Sequence, residues 1–325
     1  MRKAAQDFGM QLTSLHTSRH DVHDFSSLIN QINNLDKPDF LIYVYQYKLG
    51  EKLLEYGEQH QIKSFVINTS ISEDQRQQIG RPTEKYKNWI GHSYANLSDI
   101  SLELSKKAYG LAKPLTQFKE DKQVYGIVLS GSRDSDLAFQ WNHGANKAES
   151  ELDDFQIKQT VYTSFNPNIG YDKAKKLLQR YPDVSVIISI DENVALAAIK
   201  AAEELGRKPG EDIFIAGSAS LMATFDMAEQ KKLLASYALS IWFGVHAIVY
   251  LHDYNSNQYD QAKEFSYNFA DTDMLTSQIP TYRKIISTNT WQNIDYRRFS
   301  LAFSPHLHNY DFSLYAFEKA MLAIE

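Results

Sequence analysis

VSVIISIDENVALAAIKAAEELGRKPGEDIFIAG, residues 184–217, opens with an apolar run that stops at Asp191-Glu192. VSVIISI is nearly continuous in apolar character, as expected of a parallel strand covered by helices on both faces. Val194, Leu196, Ala197, Ile199 and Ala201 then recur at roughly helical spacing, and IFIAG resumes an apolar strand. The stretch therefore reads as a βαβ crossover. An earlier stretch, LINQINNLDKPDFLIYVYQYKLGEKLLEYGEQHQIKSFVIN (28–68), repeats the same order of events. Pro38-Asp39 and Pro182-Asp183 stand in corresponding places, where proline ends a helix and sets up an extended chain.

Working outward, MQLTSLH (10–16), VYGIVLSG (124–131) and FQIKQTVYT (155–163) read as further strands. Alternating strands and helices in both halves predict an α/β protein of two doubly wound parallel-sheet lobes joined by a hinge. A polar stretch, KPLTQFKEDKQ (113–123), reads as the linker between them. The expected division is 1–118 plus about 240–280 for the first lobe, and 119–239 plus about 281–325 for the second. Ligands of such sheets sit outside the carboxyl ends of the strands. Asp191 and Glu192 fall at such an end; they also suit the positive end of the helix that follows, which is a purely structural use.

Composition narrows the classes. The chain has 325 residues, 43% of them hydrophobic, and a net charge of −6, with no dense Lys/Arg block, so no phosphate-backbone footprint and no nucleic-acid partner is expected. It contains no cysteine, which removes disulfides, thiolate nucleophiles and Cys-ligated metal together. IWFGVHAIVYL (241–251) falls short of the roughly 18 apolar residues of a membrane span. LSGSRDSD (129–136) lacks the spacing of a phosphate-binding loop, and no G-x-S-x-G or H-E-x-x-H sequence occurs. His16, His20, His23 and Asp24 are close enough in sequence to ligate a metal, but a solvated loop before a helix explains them better, and no metal or cofactor is expected. No enzyme is predicted.

Aromatic richness remains: 20 Tyr, 17 Phe and 4 Trp, most of them expected in the core. Tyr43, Tyr45 and Tyr47 alternate into the carboxyl end of a first-lobe strand, and Trp141 and Phe165 each follow a second-lobe strand. Aromatic faces beside carboxylates and amides suit a polyol, whose C–H face stacks on the ring while its hydroxyls hydrogen-bond.

The segment SIDENVALAAIKAAEELGRKPGEDIFIAG resembles a motif of the type I periplasmic binding proteins, the sugar-binding class that includes ribose-binding proteins. GYDKAKKLLQRYPDVSVI (170–187) and KLLASYALSIWFGVHA (232–247) fit the same family. RPTEKYKNWIG (81–91), LHDYNSNQYD (251–260), WQNIDYRRFS (291–300) and YDFSL (310–314) look like ABC-transporter-type substrate-binding proteins. There are departures. An Arg that the family places three residues before a glycine is Trp141 here, the Asn-Asp pair becomes Asp191-Glu192, and an Asp after the next strand is Ala219. MRKAAQDFGMQL reads as the helix after the family's first strand, so that strand is expected to be missing.

The resemblance implies a monomeric, periplasmic solute-binding protein, without a signal peptide in this chain, that closes on a small polar, sugar-like ligand for a membrane permease. A receptor resembling those for autoinducer-2, feeding a sensor kinase or cyclase, is the alternative; the effector domain of a transcription regulator fits less well. The expected ligand contacts are Tyr45, Gln46 and Tyr47 from the first lobe, and Arg133, Trp141, Phe165, Asn166, Asp191 and Glu192 from the second.

Overall fold

The computed structural model describes residues 1–15, 23–46, 49–133, 135–237, 240–256, 263–267, 272–304, 306–312 and 314–322. His16, His20 and Tyr47, and the side chains of His23 and Asp24, lie outside the described residues.

The chain begins with α1 (Arg2–Asp7), α2 (His23–Asn33), β1 (Phe40–Val44), α3 (Leu49–His60), β2 (Lys63–Thr69), α4 (Glu73–Ile79) and β3 (Trp89–Ala95). It continues through α5 (Leu97–Ala112), β4 (Val124–Ser130), α6 (Asp136–Glu151), β5 (Phe155–Tyr162), α7 (Pro167–Arg180), β6 (Val184–Ser189), α8 (Glu192–Glu204), β7 (Phe214–Ala219), α9 (Met222–Glu229) and β8 (Leu234–Tyr237). It closes with α10 (Ser240–Asn255), β9 (Lys263–Tyr267), α11 (Thr272–Ser287) and α12 (Leu314–Leu322). These elements form two compact units, the first of Met1–Tyr94, Leu239–Tyr267 and Thr281–Glu325, the second of Ala95–Ala238 and Asn268–Pro280.

The first unit carries a sheet of order β1-β2-β3-β9, the second a sheet of order β5-β4-β6-β7-β8. Both crossovers read from the sequence are present. β1 pairs in parallel with β2 across α3, Phe40 opposite Lys63, and β6 pairs in parallel with β7 across α8, Val186 opposite Phe214. Every residue of β6 is buried, as a central strand with helices on both faces must be. α8 buries Val194, Ala195, Ala198, Ile199, Ala201 and Ala202, the face that covers the sheet, and ends before Gly206 in the left-handed region (φ 77°). α10 contains the apolar run 241–251, and its Val245 and Ala247 through Leu251 are all buried. No helix among the described residues is long and apolar enough to cross a membrane.

Three expectations need correction. Residues 10–15 form no strand; Met10 and Leu12 instead lay their side chains against the first unit's core without joining a ladder. The boundary does not fall at 113–123, because Lys113–Phe118 is a 3-10 helix continuing α5 within the second unit. α5 belongs there because it packs tightly on α6. A side chain at Gly144 would strike Ser98 O, and Ser101 Oγ donates to Trp141 O at 2.7 Å. Finally, 281–325 fall in the first unit rather than the second. Ile294, Tyr296, Phe299, Phe312 and Phe317 join Ala4, Trp242, Val245 and Val249 in one apolar cluster, so the chain's end is held by its beginning and by α10. Buried Asp253 fastens the same segment by accepting hydrogen bonds from Ser300 Oγ, Leu301 N and Tyr310 Oη.

Candidate functional site

In the second unit the strands β4, β5, β6 and β7 run parallel, so their carboxyl ends and following loops lie along one edge of the sheet. Asp191 stands beyond the end of β6 with one residue between and is the N-cap of α8, its Oδ1 accepting from Asn193 N (2.9 Å) and Val194 N (3.1 Å). Oδ2 carries no hydrogen bond from the described residues. Partial burial pushes the Asp191 carboxyl up, against the opposing effect of the Val194 and Asn193 amides. The structural use anticipated for this pair is thus realised at Asp191 with one of its two oxygens.

Glu192 reaches to the end of the neighbouring strand. Its carboxylate accepts from Ser220 N at 2.7 Å and from Ser220 Oγ at 2.9 and 2.7 Å. Burial raises this carboxyl as well, the two Ser220 donors lower it, and the Asp191 charge raises it again. A carboxylate therefore stands beside Ala219, where the resemblance leads one to expect an aspartate. Neither Asp191 nor Glu192 is ion-paired to a cation among the described residues.

Phe165 follows β5 on the other side of β4. Ser164 and Phe165 are both left-handed, with φ of 54° and 56°, a conformation that costs roughly 1 kcal/mol or more per residue and collects at functional sites. The turn lays the Phe165 ring over Gly131, where a side chain would collide with it, and leaves the residue 36% exposed. With β4 between β5 and β6, the loops carrying Phe165 and Asp191 leave strands about 10 Å apart. Asn166 is exposed and caps α7 through Oδ1, which accepts from Asn168 N (2.9 Å) and Ile169 N (3.3 Å). An exposed aromatic residue and carboxylate oxygens presented along the same sheet edge can together take the C–H face of a polyol and accept from its hydroxyls.

The remaining expected contacts fare differently. Trp141 is 1% exposed and lies in the second turn of α6, where the α5–α6 contact makes it a core residue rather than a ligand contact. Arg133 sits 4.9 Å over the Tyr162 ring, at the outer edge of the sheet. In the first unit Tyr45 is 3% exposed and packs with Leu54, Val66, Ile79 and Trp89, its ring filling the space that Gly50 leaves open. Gln46 is half-buried, and its carbonyl accepts from Gly50 N at 2.6 Å at the start of α3. Tyr47 is outside the described residues.

One group of residues was missed by the sequence reading. Around His92 in the middle of β3, Arg76 Nη2 of α4 lies 2.5 Å from Glu264 Oε1 of β9 and 3.0 Å from His92 Nδ1, and Arg81 reaches the other Glu264 oxygen at 2.6 Å. His92 Nε2 is 2.8 Å from Thr69 O, which can only accept, so Nε2 carries a proton, while Nδ1 lies between Arg76 Nη2 at 3.0 Å and Glu264 Oε1 at 3.2 Å. Burial pushes the His92 ring down, toward the neutral form. Burial raises the Glu264 carboxyl, but His92 and Arg76 more than offset this and hold it at about 2. No sequence signal pointed to this group, because Glu264 on β9 is 172 residues from His92.

No protein-family model matches the chain. Among curated proteins it is 27% identical over 174 residues to the HTH-type transcriptional regulator MalR of Clostridium butyricum, covering 52% of this chain and 46% of the regulator. The chain thus spans about half the length of that relative. Among solved structures, a periplasmic sugar-binding protein from Pseudomonas fluorescens superposes with a TM-score of 0.83 at 23% identity, covering 99% of this chain and 93% of that one. An ABC-transporter periplasmic solute-binding protein of Actinobacillus succinogenes 130z with bound D-allose gives 0.66 at 16% identity, covering 86% and 92%. The arabinose-transporter binding protein of Shewanella sp. ANA-3, bound to α- and β-L-arabinofuranose, gives 0.69 at 15% identity, covering 95% and 93%. The fold is that of the type I periplasmic binding proteins.

Proposed function

We propose that this chain is a solute-binding protein that captures a sugar or similar small polyol for an ABC-type transporter, working in the periplasm. The observation that carries the reading is the exposed Phe165 ring, held in a strained turn across β4 from the carboxylates of Asp191 and Glu192. A ring kept exposed at a cost in backbone strain is accounted for by a ligand that covers it. Similarity to proteins solved with bound D-allose and L-arabinofuranose supports a saccharide. Asp191 Oδ2 and Glu192 accept ligand hydroxyls in this reading, and Phe165 stacks on the ligand's C–H face. The bound form is then read by a membrane permease, and the ligand leaves unaltered, with no covalent step.

A thermal-shift screen of aldoses, furanose-forming pentoses and inositols tests the proposal. A true ligand at 100 times its Kd adds about 2.7 kcal/mol, a rise of a few degrees in Tm. A folded protein that responds to no saccharide or polyol in the screen would refute it.

A further inference from the structure

We propose that a second site, on the free edge of β5, binds a small oxyanion such as a carboxylate or phosphate. β5 pairs only with β4, so its other edge presents backbone groups that no ladder uses. A hollow of about 480 Å³ opens along this edge, lined by Ser132, Arg133, Thr160, Tyr162, Ser164 and Lys173 among others.

The direction of each backbone group follows from the ladder. Thr163 N donates to Ser130 O at 2.8 Å, so it faces β4. Successive N–H groups of a strand point to opposite edges, so those of Tyr162 and Thr160 face the hollow. The Tyr162 carbonyl points the same way and is already taken by the Lys173 ammonium. Nearer the start of the strand, beyond the register shift between Gly126 and Ile127, the outward N–H is that of Ile157, and a carboxylate holds it: Ile157 N donates to Glu149 Oε1 at 2.7 Å. The protein thus caps one edge donor with its own carboxylate and leaves the next two facing the hollow.

Charge and hydroxyls complete the site. Arg133 stands 4.9 Å over the Tyr162 ring and has no carboxylate partner among the described residues. Lys173 likewise has none. Ser132 and Ser164 add two hydroxyls. Two cations, two strand-edge amides and two hydroxyls around one hollow are donors for which an oxyanion is the matching acceptor. An oxyanion here would do for Thr160 and Tyr162 what Glu149 does for Ile157. This site lies beyond β5, on the opposite side from Asp191 and Glu192, and stands independently of the sugar-binding reading.

The test is a titration of the full chain with inorganic phosphate and, separately, with acetate, at constant ionic strength against chloride, followed by amide chemical shifts. Saturable shifts at Thr160 and Tyr162 are expected, and which anion saturates first distinguishes phosphate from carboxylate chemistry. Arg133 is exposed, so Arg133→Gln should fold as the parent does and weaken binding at least about tenfold, the effect of losing a charged hydrogen bond. Asp191→Asn should leave anion binding unchanged, which separates this site from the sugar site. Shifts that fail to saturate with either anion, or binding that survives Arg133→Gln undiminished, would overturn the proposal.

Discussion

At Asp191 the capping oxygen and the free oxygen can be separated by substitution. Asparagine caps a helix about as well as aspartate, so Asp191→Asn should unfold in urea within a few tenths of a kcal/mol of the parent, whereas Asp191→Ala should lose about 1 kcal/mol. Both should lose sugar affinity; retention of affinity by the asparagine variant would show that the charge serves the helix alone. Because burial raises the Asp191 and Glu192 carboxyls above their ordinary 3.8 and 4.5, affinity should begin to fall at a pH above those values as the acceptors become protonated. Glu264 titrates in the opposite sense. Held at about 2 against an ordinary 4.5, it contributes stability that is full above 4.5 and is lost as pH falls from there through about 2. Glu264→Gln leaves Arg76 buried beside an uncharged partner, and equilibrium unfolding at neutral pH should record a loss of about 3 kcal/mol, with a flatter acid limb. Asp191 and Glu192 could be read from the sequence because an apolar run stopping at two acids marks a strand end. The Arg76–His92–Glu264 group could not, because its members meet only through the pairing of β3 with β9.

Among the elements, the α5–α6 contact explains two misplacements, the boundary at 113–123 and Trp141. Gly144 lets Ser98 and Ser101 of α5 approach the α6 backbone, and Gly144→Ala forces a methyl into the Ser98 carbonyl. Chemical denaturation should show a loss of about 1–3 kcal/mol or more. Gly110 in α5 has open space where its side chain would be, so Gly110→Ala should gain about 0.5–1 kcal/mol from helix propensity. Equal effects of the two substitutions would contradict the tight packing assigned to Gly144. Trp141 follows a second-lobe strand, but that position does not report which face of a helix a neighbouring helix covers. The crossovers β1-α3-β2 and β6-α8-β7 were legible because a fully buried strand must be apolar throughout, and such runs stand out against a helix of mixed character. Residues 10–15 alternate apolar Met10 and Leu12 with polar neighbours, yet they join no ladder, since alternation reports one covered face and not pairing.

For the whole molecule, the two-unit α/β organisation followed from repeated crossovers, but the unit boundaries did not. They depend on where 281–325 pack, and that is decided by long-range contacts of Phe299, Phe312 and Phe317 with α1 and α10, together with the hydrogen bonds to Asp253. In the proposed reading, ligand identity is likewise written in few side chains, with Phe165, Asp191 and Glu192 presented at the strand ends. The most direct test of the proposed function is calorimetric titration of the full chain with the best saccharide of the thermal screen, run in parallel on Phe165→Ala and Asp191→Asn. Saturable one-to-one binding is predicted, weakened at least about tenfold by either substitution while both variants stay folded. Binding left unchanged by both substitutions, or no saccharide binding by the folded parent, would contradict the account.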